Sequence, residues 1–166
     1  MTTVRPARAD EAEAIVNAHE AAWDATLGAL IGHRLDDLAP RAQRVARMRE
    51  GLGAPPEDAA VLVNEGATGI TGMGVVRDLG DGSGEVRDLY VLPDAWGSGV
   101  APTLLHAMLE WLTQRGATSA SLWVAADNAR ARRFYEREGW SLSDEERASP
   151  LGPIEVRYDM QLGSTT

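Results

Sequence analysis

The 166-residue sequence predicts an α+β fold, a mixed and mostly antiparallel central sheet of about seven strands flanked by about four helices. Three observations predict it. Two helix-like runs follow a short first strand. Three β-rich runs between residues 59 and 91 are joined by turn residues. A helix, a strand, a helix and two strands then close the chain.

The stretch "TTVRPA" reads as the first strand. Asp10 is expected to cap a helix running to about Glu20, with Glu13 at the capping-box position. A less regular segment leads to a second helix from Leu35 to about Leu52, where Leu38, Val45, Met48 and Leu52 recur at roughly helical spacing and "GAPPED" ends the run. "AAVLVN" and "ITGMGVV" are successive strands around Gly66, and the turn-forming "DLGDGSG" leads into a third, "EVRDLYV". Beyond a glycine-bearing stretch, Leu104, Leu105, Met108, Trp111 and Leu112 mark a helix to about Arg115, stopped by Gly116. "SASLWVA" is the next strand. Asn128 opens a helix through about Glu138 that Gly139 ends, and "WSLS" and "IEVRYDMQL" are the last two strands.

No linker, repeat or low-complexity tract divides the sequence, so residues 1–166 are expected to form one domain. Sixteen basic against twenty-five acidic residues give a net charge of −9, which disfavours nucleic acid as a partner. That field favours a cationic acceptor, or serves solubility alone. No apolar run is long enough to span a bilayer, and the first residues lack the layout of a secretory signal. The expectation is a cytoplasmic protein with no membrane partner. Every basic residue is Arg, and there is no Cys, so Schiff-base, phosphate-loop-lysine, thiol-nucleophile and disulfide chemistries drop out. His19, His33 and His106 lack metal-ligand spacing, and no metal is expected.

"VLPDAWGSGVAPTLL", residues 91–105, sets Gly97 and Gly99 just ahead of a helix. The first turn of a helix has N–H groups without internal partners, and glycines let those donors approach a bulky anion. The pair therefore fits a pyrophosphate cradle, and it also fits a plain strand-to-helix turn. A dinucleotide-binding oxidoreductase would need glycine where Pro102 stands and an acid near Ala117. A nucleophile elbow fails because Trp96 precedes Ser98, and Asp81 precedes Ser83, where glycine is required.

Taken with "NARARRFYEREGW", this stretch resembles the GNAT family of N-acetyltransferases. The resemblance implies the GNAT fold and an N-acetyltransferase that uses acetyl-coenzyme A (acetyl-CoA) as cosubstrate. It would pass the acetyl group directly to a primary amine of a small molecule or peptide, and a homodimer is compatible with the family. It further implies that the pyrophosphate rests on the backbone of Trp96, Gly97, Ser98, Gly99, Val100 and Ala101. Asp94 stands where the family pattern has Gln or Arg, and an acid there is expected to point away from phosphate. "EVRDLYV" implies that Leu89, Tyr90 and Val91 offer main-chain groups to the pantetheine arm and the thioester carbonyl. The second motif matches at Asn128, Ala131, Phe134, Tyr135, Glu136, Gly139 and Trp140. It puts Asn128 on the pantetheine and makes Tyr135 the acid that protonates the leaving thiolate, a role suited to a phenol that stays protonated at neutral pH. Physical chemistry alone makes Asn128 a helix cap and Phe134 with Tyr135 a core-facing pair.

The resemblance also implies a general base at Glu85, where some family members place one, often acting through water; as a strand-end acid it is otherwise simply solvated. Arg130 and Arg133 would reach the cofactor's ribose phosphate, or else share a solvated, ion-paired helix face with Arg132 and Arg137. Trp23, near His19, falls with Glu85 in the region where the family binds its acceptor. The alternative function is a noncatalytic acyl-CoA-binding or regulatory domain that has the cradle without transfer.

Overall fold

The computed structural model describes residues 3–150 and 152–163, so Thr2 of the predicted first strand lies outside the described residues. Seven strands form one sheet: β1 (Thr3–Pro6), β2 (Ala59–Gly66), β3 (Gly69–Asp78), β4 (Ser83–Val91), β5 (Ser119–Ala125), β6 (Ser141–Ala148) and β7 (Ile154–Gln161). Their spatial order is β1-β2-β3-β4-β5-β7-β6, and every neighbouring pair is antiparallel except β4–β5. The helices are α1 (Ala12–Trp23), α2 (Ala29–Ile31), α3 (Leu35–Leu38), α4 (Arg41–Gly53), α5 (Val100–Gln114) and α6 (Ala129–Arg137).

Each face of the sheet is covered for a reason visible in side-chain spacing. Leu104, Leu105, Met108 and Leu112 recur every three to four residues along α5, and all four are fully buried against β3 and β4. At about 1.5–3 kcal/mol for each such side chain, that stripe is the main anchor of the helix. On the opposite face Ile15 of α1 packs on Val63 and Met73, with Met48 and Leu52 of α4 behind it. Among the described residues, no helix is long and apolar enough to cross a membrane.

Three boundaries depart from the sequence reading. The amino-terminal cap is not Asp10 with Glu13. A 3-10 turn at Ala9–Glu11 comes first, and Glu11 accepts the Arg8 N–H at 2.7 Å while Arg5 holds the same carboxylate at 3.0 Å. The helix expected from Leu35 breaks at Ala39, whose backbone is extended, because Pro40 crowds the residue before it out of the helical region. The strand expected as "WSLS" runs on to Ala148. It lies at the sheet edge, where charged side chains reach water on both sides, and a bulge between Leu142 and Glu146 keeps it paired with β7.

The segment after α1 was only irregular in the sequence. It is a π-helical turn, Asp24–Gly28, in which the Thr26 hydroxyl bonds the Ala22 carbonyl at 2.8 Å. Such turns widen a helix and re-aim its side chains. Here the turn presents Thr26 and Leu27 to the cleft described next.

Candidate functional site

The parallel strands β4 and β5 pair at only three positions, Ser83–Ser119, Gly84–Ala120 and Glu85–Ser121. Past Glu85 they separate, leaving a V-shaped opening whose inner edges no strand satisfies. A bulge bends β4 at the vertex: Val86 faces Val76 and Asp88 faces Val75, so Arg87 is the extra residue. The opening continues into a cleft of about 730 Å³ bounded by β4, β5, the β4–α5 loop, α6 and the π-helical turn.

Strand alternation decides which main-chain groups face the opening. Leu92 donates its N–H across to Thr71 of β3 at 2.8 Å, so Tyr90, two residues earlier, points the same way. The N–H groups of Leu89 and Val91 point into the cleft instead. Of the three residues expected to offer donors there, Tyr90 therefore serves through its position and not its N–H. Its ring packs 4.5 Å from that of His19 on the α1 face.

At the cleft mouth the two glycines occupy the left-handed region, Gly97 at φ 77° and Gly99 at φ 90°. A Cβ at either would meet no protein atom within 4 Å, so their absence of side chain leaves open space instead of serving protein packing. Among the described residues, the N–H groups of Gly97, Gly99, Val100 and Ala101 have no acceptor. Those of Trp96 and Ser98 do: they bond the carbonyls of Pro93 at 3.1 Å and Ala95 at 3.3 Å, and the Ser98 hydroxyl also turns back to Ala95. The expectation of six donors thus narrows to four. Asp94 is exposed and stands outside the cleft wall, as expected.

Trp96 contributes its ring. The indole N–H bonds the Val91 carbonyl at 2.9 Å, and the Arg130 guanidinium lies 3.6 Å over the ring centre, tying the loop to the start of α6. A stack of that kind is worth roughly 0.5–2 kcal/mol. Arg130, Arg133 and Arg137 all line the cleft, and among the described residues none has a carboxylate partner. The acids that might have neutralised them are engaged elsewhere: Glu136 accepts the Tyr158 hydroxyl at 2.7 Å, and Glu138 meets His106 at 2.9 Å. Arg132 turns away to Tyr158 and the Ala126 carbonyl. Three unpaired cations beside four unpaired N–H donors make this mouth a site for a polyanion.

Deeper in, Asn128 lines the cleft and caps α6 by accepting the Ala131 N–H at 3.2 Å, and among the described residues its amide N–H groups have no acceptor. Tyr135 is buried among Phe134, Trp140 and Tyr158 at ring separations of 5.2, 6.1 and 6.2 Å. Among the described residues its hydroxyl makes no hydrogen bond, and it too lines the cleft. Burial, and next the charge of Asp88, push the phenol above its ordinary value and hold it protonated.

Two expected residues lie elsewhere. Glu85 is the last residue of β4 paired on both sides, to Arg77 of β3 and Ser121 of β5, and it is not on the cleft wall. Trp23 is a core residue, 3% exposed, packed against Gly28; its neighbours Ala22, Thr26 and Leu27 face the cleft. Sequence reasoning missed Asp88, which sits on the cleft wall without an ion-pair partner among the described residues. Burial pushes its carboxyl above the usual carboxylate range, with Arg87 opposing and Glu85 assisting. The signal for it was the alternation of "EVRDLYV", which a single bulge shifts.

A splayed parallel pair with an anion-binding loop at its mouth and an unbonded phenol within defines a protein built to hold a long phosphorylated carrier and present its far end. Comparison with known proteins agrees. Residues 17–140 match the model of the Acetyltransferase (GNAT) family, and the chain belongs to that family. Mycothiol acetyltransferase of Actinosynnema mirum is 30% identical over 141 residues, 85% of this chain and 44% of that protein. An uncharacterized N-acetyltransferase of Archaeoglobus fulgidus is 44% identical over 52 residues, 31% of this chain and 35% of that one. The chain thus spans less than half the length of either relative. Among solved structures, PaiA N-acetyltransferase from Thermoplasma acidophilum in complex with coenzyme A has the same fold, with a TM-score of 0.78 at 13% identity over 98% of this chain and 99% of that one.

Proposed function

We propose that this protein is an N-acetyltransferase that binds acetyl-CoA and a primary amine together and transfers the acetyl group directly. The observation that carries the reading is the alignment, along one cleft, of four unpaired N–H groups at the mouth, two strand N–H groups midway and an unbonded phenol inside. The residues present fit the carrier: Gly97 and Gly99 take left-handed turns that open onto empty space, and among the described residues Arg130, Arg133 and Arg137 have no carboxylate partner to compete with phosphate.

The residues divide the work by position. Gly97, Gly99, Val100 and Ala101 hold the diphosphate through their N–H groups, and the Asn128 amide steadies the arm behind it. Leu89 or Val91 donates its N–H to the acetyl oxygen, where negative charge develops as the amine attacks. Asp88, which lines the cleft where Glu85 does not, takes the role of base: it accepts the proton the amine gives up as nitrogen bonds to the acetyl carbon. Tyr135 donates its proton to sulfur as the carbon–sulfur bond breaks. Burial, and next the charge of Asp88, keep that phenol protonated beforehand.

Titration calorimetry with acetyl-CoA, followed by thiol release across a panel of amines, tests this. The protein has no cysteine, so a thiol-reactive dye reports only the product. Heat of binding with amine-dependent thiol release is expected. Binding without release would mark a noncatalytic acyl-CoA-binding domain, and no heat from well-folded protein would end the reading.

A further inference from the structure

The vertex of the cleft holds charged groups that the acyl carrier does not use. The bulge in β4 leaves Arg87 as the extra residue beside Asp88, which pairs with Val75, and these two consecutive residues of opposite charge both line the cleft. Neither forms an ion pair among the described residues, with each other or with any neighbour. The third charge on that wall, Glu155, is already neutralised by Arg147 at 2.9 Å, and Arg147 also covers the Trp123 ring at 4.3 Å. The phosphate-binding cations Arg130, Arg133 and Arg137 belong to α6, whereas Arg87 sits where β4 and β5 begin to part, past the thioester donors Leu89 and Val91. An unpaired guanidinium next to an unpaired buried carboxyl has one economical complement, a molecule carrying both charges close together.

We propose that the acceptor is an α-amino acid or a close analogue, its carboxylate held by Arg87 and its amine delivered to Asp88. Ala22 of α1 and Leu27 of the π-helical turn are apolar residues on the cleft wall for its side chain to meet. A simple alkylamine, or an internal lysine of a protein, brings no carboxylate beside its amine for Arg87 to hold. The assignment rests on the acetyltransferase reading above and names its substrate class.

The test uses pairs of acceptors that differ only in the carboxylate: phenylalanine and phenethylamine, tryptophan and tryptamine, lysine and cadaverine. Thiol release with acetyl-CoA is expected to show kcat/KM at least tenfold higher for the amino acid of at least one pair. Arg87→Ala is expected to collapse that ratio through a raised KM, and Arg87→Lys to restore part of it. Arg87 is exposed, so neither change threatens folding. Equal or better use of the decarboxylated partners would overturn the assignment while leaving acetyl transfer intact. Calorimetry of the same pairs on protein saturated with coenzyme A gives a second readout independent of turnover, and absence of any carboxylate preference there overturns it as well.

Discussion

Replacing Tyr135 with Phe separates the phenol's chemistry from its packing. The hydroxyl has no hydrogen bond among the described residues, so its removal strands no partner. The ring contacts with Phe134, Trp140 and Tyr158 survive in Phe. Stability should therefore change by less than about 1 kcal/mol, within the range of a single neutral hydrogen-bonding group. A general acid contributes roughly 10²–10⁴ to rate, equivalent to about 2.7–5.4 kcal/mol of barrier at about 1.36 kcal/mol per tenfold. The variant should unfold in urea at nearly the same midpoint, bind acetyl-CoA with unchanged heat, and release thiol at least a hundredfold more slowly. Because burial and Asp88 raise the phenol above its ordinary value, its deprotonation should not produce an alkaline decline near neutral pH. Turnover within threefold of the parent protein, in a folded variant that binds the carrier, would show that Tyr135 is packing only.

Three further outcomes are expected. The rate should rise with pH through the titration of Asp88, at a midpoint above the usual carboxylate range because burial raises it; Asp88→Asn should lose that limb and at least a hundredfold in kcat/KM, whereas Glu85→Gln should change it less than threefold. Two glycines should respond to alanine differently: at Gly99, φ 90° costs about 1–2 kcal/mol and weakens carrier binding, while at Gly84 the new Cβ would fall 2.2 Å from Leu112 Cδ2, costing about 1–3 kcal/mol or more without touching the cradle, as melts and calorimetry together would show. Burial, and then Arg44, hold His19 down at about 4 against an ordinary 6.5, so the unfolded chain binds its proton first; stability should be full above about pH 6.5 and fall by about 3 kcal/mol toward pH 4, a slope that denaturant titrations should find flattened in His19→Gln.

How far the sequence revealed this site depended on the range of the interactions that build each part. Gly97, Gly99 and Asn128 were legible because local backbone geometry demands them: two left-handed turns and a helix cap follow from the residue types themselves. Tyr135 was legible as a buried aromatic, and the family resemblance supplied its role. The α5 stripe was legible from helical spacing alone. The vertex was not. Whether Glu85 or Asp88 faces the cleft depends on where β3 and β4 slip by one residue and on where β4 and β5 stop pairing, and both are settled by partners distant in the chain. The same holds for Trp23, whose position suggested a binding wall, although at the end of α1 it packs into the core while Ala22, Thr26 and Leu27 line the cleft.

That division has a physical consequence. The proposed carrier-binding half depends on backbone donors whose direction a helix start and two glycines fix, and an acid at Asp94, off the cleft wall, is compatible with it. The acceptor half depends on one bulge and one π turn, each a single-residue insertion into an otherwise regular element. Moving either by one position would exchange the side chains on the cleft wall while leaving the sheet, the cradle and Tyr135 in place. Acceptor use can therefore shift without disturbing carrier binding, and deleting Arg87 to restore regular β3–β4 pairing is the direct trial: with Asp88 still opposite Val75, it should remove the bulge and the Arg87 charge and lower acceptor use while acetyl-CoA still binds. Loss of carrier binding in a folded deletion variant would mean that the two halves are not separable in this way.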